Sequence, residues 1–257
     1  MAAISTVIIA QDEEDKIARA IRSAAPFSDE VLVVDGGSVD RTRAVAAAAG
    51  ARVVSRAWSG FARQRNFAAG AARHDWIFWL DSDEVVTPAL AREIAAAKPR
   101  LAAGRVYHAA RLGDFMGARM IREYHPRLYH RGETAFSEDA VHERVVTAGL
   151  AAETFAGRID HFGYSGFAPL LRKFARYAEL EAETQRRAGR SFRAARFLYR
   201  AGGKFLQMYL LRGLALKGRA GLFCALAFVI YEVAVAAALI DEEDEAGETA
   251  LQSDAAE

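Results

Sequence analysis

The sequence predicts an α/β fold with a mainly parallel central sheet, followed by a helical C-terminal region. Three observations predict it. Over the first hundred residues, short apolar runs rich in Val, Ile and aromatics alternate with helical stretches through short connections. Beyond Phe167 the pattern reads as helical to about Ile240. The chain has 257 residues, 52% of them apolar and 26% charged. That is enough core for one large domain, or one domain with a helical extension, and it excludes a disordered chain.

The elements follow in order. Ile4–Ala10, Glu30–Asp35, Ala51–Ser55 and Trp76–Asp81 read as buried strands. Glu13–Ala24, Arg41–Gly50 and Phe61–Arg73 read as the helices between them. Strand and helix in alternation imply βαβ units. Asp35, Gly36, Gly37 and Ser38 follow the second strand directly. The glycines let backbone approach a ligand closely, and Ser38 or Asp40 is placed to cap the next helix. Arg105–Leu112, Tyr124–His130 and Val141–Thr147 read as shorter strands among loops, and Gly202-Gly203 as a break in the helical region. The expected division is a domain over residues 1–166, a helical membrane-associating region over 167–240 and an acidic disordered tail over 241–257.

The net charge of +1 conceals an asymmetry. Arg158 to Arg219 holds 14 Lys/Arg against 4 Asp/Glu, an excess of ten. Asp241 to Glu257 holds 8 acids and no Lys or Arg. Within the basic stretch, Arg186, Arg187, Arg190, Arg193, Arg196 and Arg200 are interleaved with Phe192, Phe197, Leu198, Phe205 and Tyr209. Such a basic-aromatic surface suits an anionic inner leaflet, and a solvated helix face is the plain alternative. Nucleic acid would use the same charges, but no nucleic-acid motif accompanies them, so no nucleic-acid partner is expected. Ala220–Ile240 is 21 residues long with one charge, Glu232. One central Glu costs a spanning helix only roughly 3 kcal/mol, so spanning and packing both stay open, with packing or lying in the interface preferred. The single cysteine, Cys224, lies in this apolar run and reads as packing, which excludes a disulfide framework and a Cys-based zinc site. The N-terminus carries no recognisable export signal, so the cytoplasmic face of a membrane is the expected location.

The most informative segment for chemistry is Trp76-Ile77-Phe78-Trp79-Leu80-Asp81-Ser82-Asp83-Glu84, an apolar strand that ends in acids at i and i+2. On an extended backbone Asp81 and Asp83 share a side, which suits Mg²⁺ or Mn²⁺ held together with substrate phosphates. The alternative is a solvated loop in which Asp83 or Thr87 caps a helix starting near Pro88.

Other segments set this one in order. Val7-Ile8-Ile9-Ala10-Gln11-Asp12-Glu13 comes first, then Val33-Val34-Asp35-Gly36-Gly37-Ser38-Val39-Asp40-Arg41-Thr42, then Gly60-Phe61-Ala62-Arg63-Gln64-Arg65-Asn66. In that order and spacing the chain resembles the family 2 glycosyltransferases. Within them it looks most like the bacterial lipopolysaccharide core β-1,4-glucosyltransferase group. Asp139-Ala140-Val141-His142-Glu143 and His161 are similar to that group's later pattern. The resemblance covers residues 4–165 clearly and the helical region loosely. The group usually has Asn-Glu after the first strand, where this chain has Asp12-Glu13.

The resemblance implies a GT-A (nucleotide-diphospho-sugar transferase, Rossmann-like) domain. It implies inverting transfer of a sugar, glucose from a UDP-linked donor, to an acceptor hydroxyl of a cell-envelope glycolipid or glycan, assisted by Mg²⁺ or Mn²⁺. Ala10, Glu13, Asp35, Gly37, Arg65, Asn66, Asp81 and Ser82 are then the substrate-binding positions, and Asp81, Asp83 and His161 the metal positions. Asp139 is the first candidate for the base that takes the acceptor proton, with Glu143 close behind; a solvated acidic loop is the alternative for both. Asp35 also reads as a turn-forming Asp before Gly-Gly, Arg65 as an exposed helix charge, and His142 and His161 as structural histidines. Trp58, Tyr107, Phe115, Tyr124 and Tyr129 are candidates for stacking on sugar rings or for the core. Transfer to a polyisoprenyl phosphate and a non-catalytic nucleotide-binding membrane protein are the competing functions.

Overall fold

The computed structural model describes residues 1–116, 118–137, 144–164 and 166–254. They form two compact units: Met1–Gly113 with Arg122–Gly163, and Asp114–Ile121 with the chain from Tyr164 onward.

In the first unit, parallel strands β1 (Ile4–Ala10), β2 (Glu30–Asp35), β3 (Arg52–Ser55) and β4 (Trp76–Asp81) are joined by helices α1 (Ile17–Ala24), α2 (Thr42–Ala48) and α3 (Phe61–Ala71). Strand β1 lies between β2 and β4, and β3 flanks β2. The expected strands and the βαβ order hold. Side chains alternate between the faces because the strand period is two. Ile4, Ile8, Val31, Val33, Phe78 and Leu80 enter one core, which α1 and α4 (Pro88–Ala97) cover. Val7, Ile9, Leu32, Val34, Ile77 and Trp79 enter the other, which α3 covers with Ala62, Ala68 and Ala69. Both faces are buried, so these strands read as continuous apolar runs. Helices α1 and α4 present Ile17, Ala20, Ile21, Ala24 and Leu90, Ala91, Ile94, Ala97 at i, i+3, i+4, i+7. Thr87 caps α4, its hydroxyl accepting from the Leu90 amide, with Pro88 at the first helical position.

Antiparallel strands complete the sheet. They are β5 (Glu84–Val86), β6 (Arg105–Phe115), β7 (Ala118–His130) and β8 (Ala151–Tyr164), and the eight-stranded order is β3-β2-β1-β4-β7-β6-β8-β5. Strand β7 pairs antiparallel with β4, and β5 with β8.

Two expectations for this unit need correction, and one strand was not anticipated. Helix α1 begins at Ile17 rather than Glu13, because the amides of Asp12, Glu13 and Glu14 bond to side chains of Ser38, Thr42 and Asp40 instead of entering a helix. The strand expected over Val141–Thr147 is represented by an isolated bridge between Phe136 and Val145; residues 138–143 lie outside the described residues. The long strand β8 carries charges and Gly157 among its apolar residues, which hid its period from the sequence.

In the second unit, α5 (Phe167–Arg187), α6 (Ala194–Leu206) and α7 (Gly218–Asp254) pack together. Gly202-Gly203 sits inside α6, not at a break. The chain interrupts its helices instead at Ala188–Arg193 and between Gln207 and Gly218, where Gly213 and Gly218 take positive φ. Helix α7 continues to Asp254, past the change of composition at Asp241; Ala and Glu are both strong helix formers. Leu214–Ile240 is long and apolar enough to cross a membrane by length and composition alone. One face of α7 packs within the unit through Val235 and Leu239 against Ala178 and Ala182 of α5. The one charge within Ala220–Ile240, Glu232, pairs with Arg200 of α6, Nε to Oε2 at 2.9 Å. Burial pushes the Cys224 thiol up to about 11, in keeping with a packing role.

A Cβ at Gly157 of β8 would lie 2.6 Å from Leu90 Cα and 2.7 Å from Leu90 N in the first turn of α4. Backbone cannot swing away as a side chain can. Gly157→Ala is therefore expected to destabilise the protein by about 1–3 kcal/mol. A thermal unfolding midpoint equal to that of the unmodified chain would contradict this packing.

Candidate active site

Three loops, after β1, β2 and β4, meet beyond the carboxyl ends of parallel strands, where open α/β sheets bind ligands. The first two are laced together. Asp12 adopts φ 56°, a left-handed conformation that Asp and Asn tolerate best among residues with a side chain. Its Oδ1 accepts from the amides of Val39 (2.8 Å) and Asp40 (3.4 Å), while its own amide donates to Ser38 Oγ (3.0 Å). The Glu13 amide donates to Thr42 Oγ1 (2.7 Å), and Glu14 Oε2 accepts from the Arg41 amide (2.9 Å). All that the lacing asks of Asp12 is one side-chain carbonyl-type oxygen. An Asn would supply it equally, which accounts for Asp at a position where Asn is usual. The Glu13 carboxylate pairs with Lys16 at 2.9 Å. Asp40 Oδ1 accepts from the Thr42 amide (2.8 Å), but the N-cap position of α2 is Arg41 and carries no side-chain cap, so the expected cap by Ser38 or Asp40 is not formed.

Asp35 ends β2 and is fully buried. Its Oδ2 accepts from the amides of Gly37 (3.1 Å) and Ser38 (3.2 Å), with Arg43 Nη1 at 3.5 Å. Oδ1 is buried without a hydrogen-bond partner among the described residues. Asp35 thus forms the turn and keeps a lone acceptor. An unsatisfied buried acceptor costs about 1–3 kcal/mol, and such groups concentrate where a ligand supplies the partner. The Ala10 carbonyl, at the end of β1, accepts from the Gly36 amide (2.8 Å). Gly36 has no room for a side chain: a Cβ there would sit 2.9 Å from Trp58 Cε3. Gly37 takes φ +103°, which favours glycine.

The acidic motif after β4 forms a turn rather than an extended strand, so Asp81 and Asp83 have different partners. Asp81 Oδ1 accepts from Arg65 Nη2 at 2.8 Å. Burial opposes ionisation of Asp81, but Arg65, with Arg127 and Arg111 behind it, holds its carboxyl well below the usual carboxylate range. Asp83 Oδ2 lies 3.1 Å from His161 Nε2. His161 is delivered by β8, in register with Glu84 of β5, and the Phe162 amide donates to the Asp83 carbonyl (2.9 Å). Among the described residues no three His, Cys, Asp or Glu side chains converge as a metal-holding group. The expected trio therefore resolves into an Asp83–His161 pair and an Asp81–Arg65 pair. Ser82, between the two acids, is buried.

Beneath the turn lies a group that the sequence reading missed. Glu84 and Arg127 are both fully buried and form a two-pronged ion pair, Nη1 to Oε2 and Nη2 to Oε1, each 2.7 Å. Glu84 Oε2 also accepts from the Asp81 amide (3.0 Å), and Arg111 Nε lies 3.2 Å from Oε1. The Arg127 guanidinium sits 3.7 Å over the Trp79 ring. Glu84 was legible as an acid beside Asp83, but nothing in the local sequence marked Arg127 as its partner, 43 residues on.

Arg65 is not an exposed helix charge. It is largely buried beside Asp81, with its guanidinium 4.9 Å from the Trp79 ring and 5.1 Å from the Phe136 ring. Asn66 uses its side-chain amide as a clamp: Nδ2 donates to the Phe136 carbonyl and Oδ1 accepts from the Phe136 amide, both at 2.9 Å. It anchors the chain just before residue 138. Asp139, His142 and Glu143 lie outside the described residues. Of the aromatics, Tyr107, Phe115 and Tyr129 are core residues; Trp58 and Tyr124 are exposed.

A parallel sheet with a buried acceptor after one strand and an acidic turn after another defines a nucleotide-sugar transferase type of domain, the GT-A fold. The chain belongs to glycosyl transferase family 2, whose profile matches residues 5–150. It is 29% identical over 245 residues to the lipopolysaccharide core biosynthesis glycosyltransferase LpsC of Rhizobium meliloti, covering 91% of this chain and 90% of that one. It is 43% identical over 94 residues to an uncharacterized glycosyltransferase of Rickettsia typhi, across 37% of this chain. That match spans about a third (32%) of the Rickettsia protein's length. A solved structure of glucosyl-3-phosphoglycerate synthase from Mycobacterium tuberculosis, in complex with Mn²⁺, UDP and glucosyl-3-phosphoglycerate, is 27% identical over 45% of each chain, with a TM-score of 0.36.

Two outcomes are expected of these pairs. Arg127→Met leaves the buried Glu84 with Arg111 as its one remaining cation among the described residues, at about 3–5 kcal/mol, whereas Arg127→Met with Glu84→Met regains most of that loss. A double-mutant cycle by urea unfolding measures it, and additive losses would argue against the pairing. The second concerns acid. Because the folded pKa of Asp81 is depressed, its stabilisation is complete above about pH 4 and is lost as pH falls towards the folded value. Between about pH 4 and 2 the stability of Asp81→Asn should fall less steeply than that of the unmodified chain; equal slopes in tryptophan-monitored unfolding would contradict the assignment.

Proposed function

We propose that this chain transfers a sugar, glucose in the first instance, from a UDP-linked donor to an acceptor hydroxyl of a cell-envelope glycolipid or glycan, with inversion. The observation that carries the reading is Asp35. Its buried, unpartnered Oδ1 is an acceptor awaiting an N–H or O–H donor, which the imide of uracil or a ribose hydroxyl supplies. Family membership and the likeness to LpsC along 91% of the chain support transfer chemistry and a lipopolysaccharide-type acceptor.

In this reading the Ala10 carbonyl, Glu13, Gly37 and Ser82 border the donor. Gly37 lets the backbone lie close to it. Asp81 keeps Arg65 in place, and the planar guanidinium of Arg65 faces the diphosphate. Asp83 and His161, with Arg111 Nη2 3.1 Å from both ring nitrogens, are the oxygen and nitrogen donors that would hold Mn²⁺ or Mg²⁺ together with substrate phosphates. Such a cation, when bound, neutralises charge that develops on the departing diphosphate. Asp139, or Glu143, takes the proton from the acceptor hydroxyl as its oxygen bonds the sugar's anomeric carbon. The bond to the diphosphate breaks on the opposite face, and its electron pair leaves with the UDP. Asn66, by clamping Phe136, steadies the segment that leads to this base.

We place the chain at the cytoplasmic face of the inner membrane, resting on an anionic surface rather than crossing it. The excess of basic residues between Arg158 and Arg219 and the packing of one face of α7 inside its own unit support this.

The test is a panel of nucleotide sugars incubated with Mn²⁺ and an envelope lipid extract. UDP-glucose is expected to turn over best. Asp81→Ala with Asp83→Ala should lower turnover about 100-fold or more, and Asp35→Ala should weaken UDP binding about 10-fold or more. Undiminished turnover in the double variant would remove the acidic turn from the mechanism.

A further inference from the structure

The second unit contains an open, shallow depression whose chemistry differs from that of the acidic site. Ser191, Arg193, Arg196 and Arg200 line it, at the start of α6, together with Phe192 and Phe197. Glu232 of α7 also lines it, and both of its oxygens are engaged by Arg200, at 2.9 and 3.3 Å. That pair is neutral as a unit. Arg193 and Arg196 have no acidic partner among the described residues. Arg193 precedes α6 and Arg196 lies in its first turn, and both line the same depression. No side chain caps that helix end, so its first amides add to the positive end.

Exposed apolar side chains elsewhere on the same unit bear on the ligand. Leu198 and Tyr199, on the same helix, are 68% and 82% exposed. Leu206, Leu210, Leu211 and Leu216 follow at 54%, 58%, 84% and 89%. Large apolar side chains clustered along the surface mark a protein or membrane contact, and cationic side chains among them favour a partner that is both apolar and anionic. A soluble anion would leave those leucines without a purpose. A phospholipid surface satisfies both halves.

We propose that this pocket holds the phosphate of a lipid headgroup, preferring a phosphomonoester, while the exposed leucines enter the interfacial layer. The proposal rests on the membrane-surface reading above and adds a specific residue set to it. Two planar guanidiniums grip a terminal phosphate through paired N–H···O bonds. A phosphomonoester carries up to two charges near pH 7, a phosphodiester one. Hence selectivity, rather than bare attraction, is the signature.

The experiment is co-sedimentation of the full chain with phosphatidylcholine vesicles that carry either phosphatidic acid or phosphatidylglycerol at matched surface charge. The unmodified protein is expected to bind phosphatidic acid vesicles about tenfold tighter. Arg193→Gln with Arg196→Gln should abolish that preference. Arg212→Gln with Arg219→Gln, which removes the same charge from exposed positions outside the pocket, should weaken binding to both vesicles and preserve the preference. All these positions are exposed, and a thermal melt verifies folding of each variant. Binding without preference, or a preference that survives loss of Arg193 and Arg196, overturns the pocket and leaves the membrane reading standing. No binding to either vesicle overturns both. Protection by inorganic phosphate in a thermal shift, without vesicle binding, would assign the pocket to a soluble anion and overturn the lipid assignment.

Discussion

Glu84 and Arg127 bury one negative and one positive charge against each other, and the acidic turn hangs from that pair. Glu84 ends the turn that carries Asp81, Ser82 and Asp83; Arg127 comes from β7, on the far side of β4. Neither would be stable in the interior alone, since an unpaired buried charge costs several kcal/mol. Together they require β4, β5 and β7 to meet in one arrangement. The Asp81 amide shares the Glu84 carboxylate, so the turn's backbone is set by the same bond. Geometry that must be held to fractions of an ångström is thus placed on rigid strands rather than on a free loop.

Around this pair, charges are used in a graded way. Arg65 satisfies Asp81 and Arg111 leans on Glu84, so the carboxylates next to the proposed diphosphate position are matched by guanidiniums before any ligand arrives. Asp35 is the opposite case: one oxygen held by turn amides, the other left alone in the interior. The first arrangement keeps an acidic region stable, and the second keeps an acceptor ready. The second unit inverts the sign. There Glu232 is matched by Arg200, while Arg193 and Arg196 have no acidic partner among the described residues. The whole-chain charge of +1 averages over these separate balances.

Much of the donor domain was legible because both faces of its parallel strands are buried. Ile4–Ala10, Glu30–Asp35 and Trp76–Asp81 stand out as predominantly apolar runs, and their observed limits match that reading. Asp35 was legible for a local reason, an Asp before Gly-Gly at a strand end. Strand β8 was not, because charged residues and a glycine packed against Leu90 of α4 interrupt its apolar pattern. Asp12 shows the limit of comparison by residue type. Beside a diphosphate its charge looks out of place, but in the fold its oxygen holds the Val39 and Asp40 amides.

By itself the sequence determined the alternation of strands and helices, the acids at the strand ends and the concentration of basic residues in one stretch. These are properties of neighbouring residues, governed by side-chain period and local turn chemistry. Only the tertiary structure decided which partner each acid takes. Asp81 pairs with Arg65 across 16 positions, Glu84 with Arg127 across 43 and Asp83 with His161 across 78. A charge pair depends on distance in space, and sheet order β4-β7-β6-β8-β5, which no local pattern encodes, brings those distances to hydrogen-bond length.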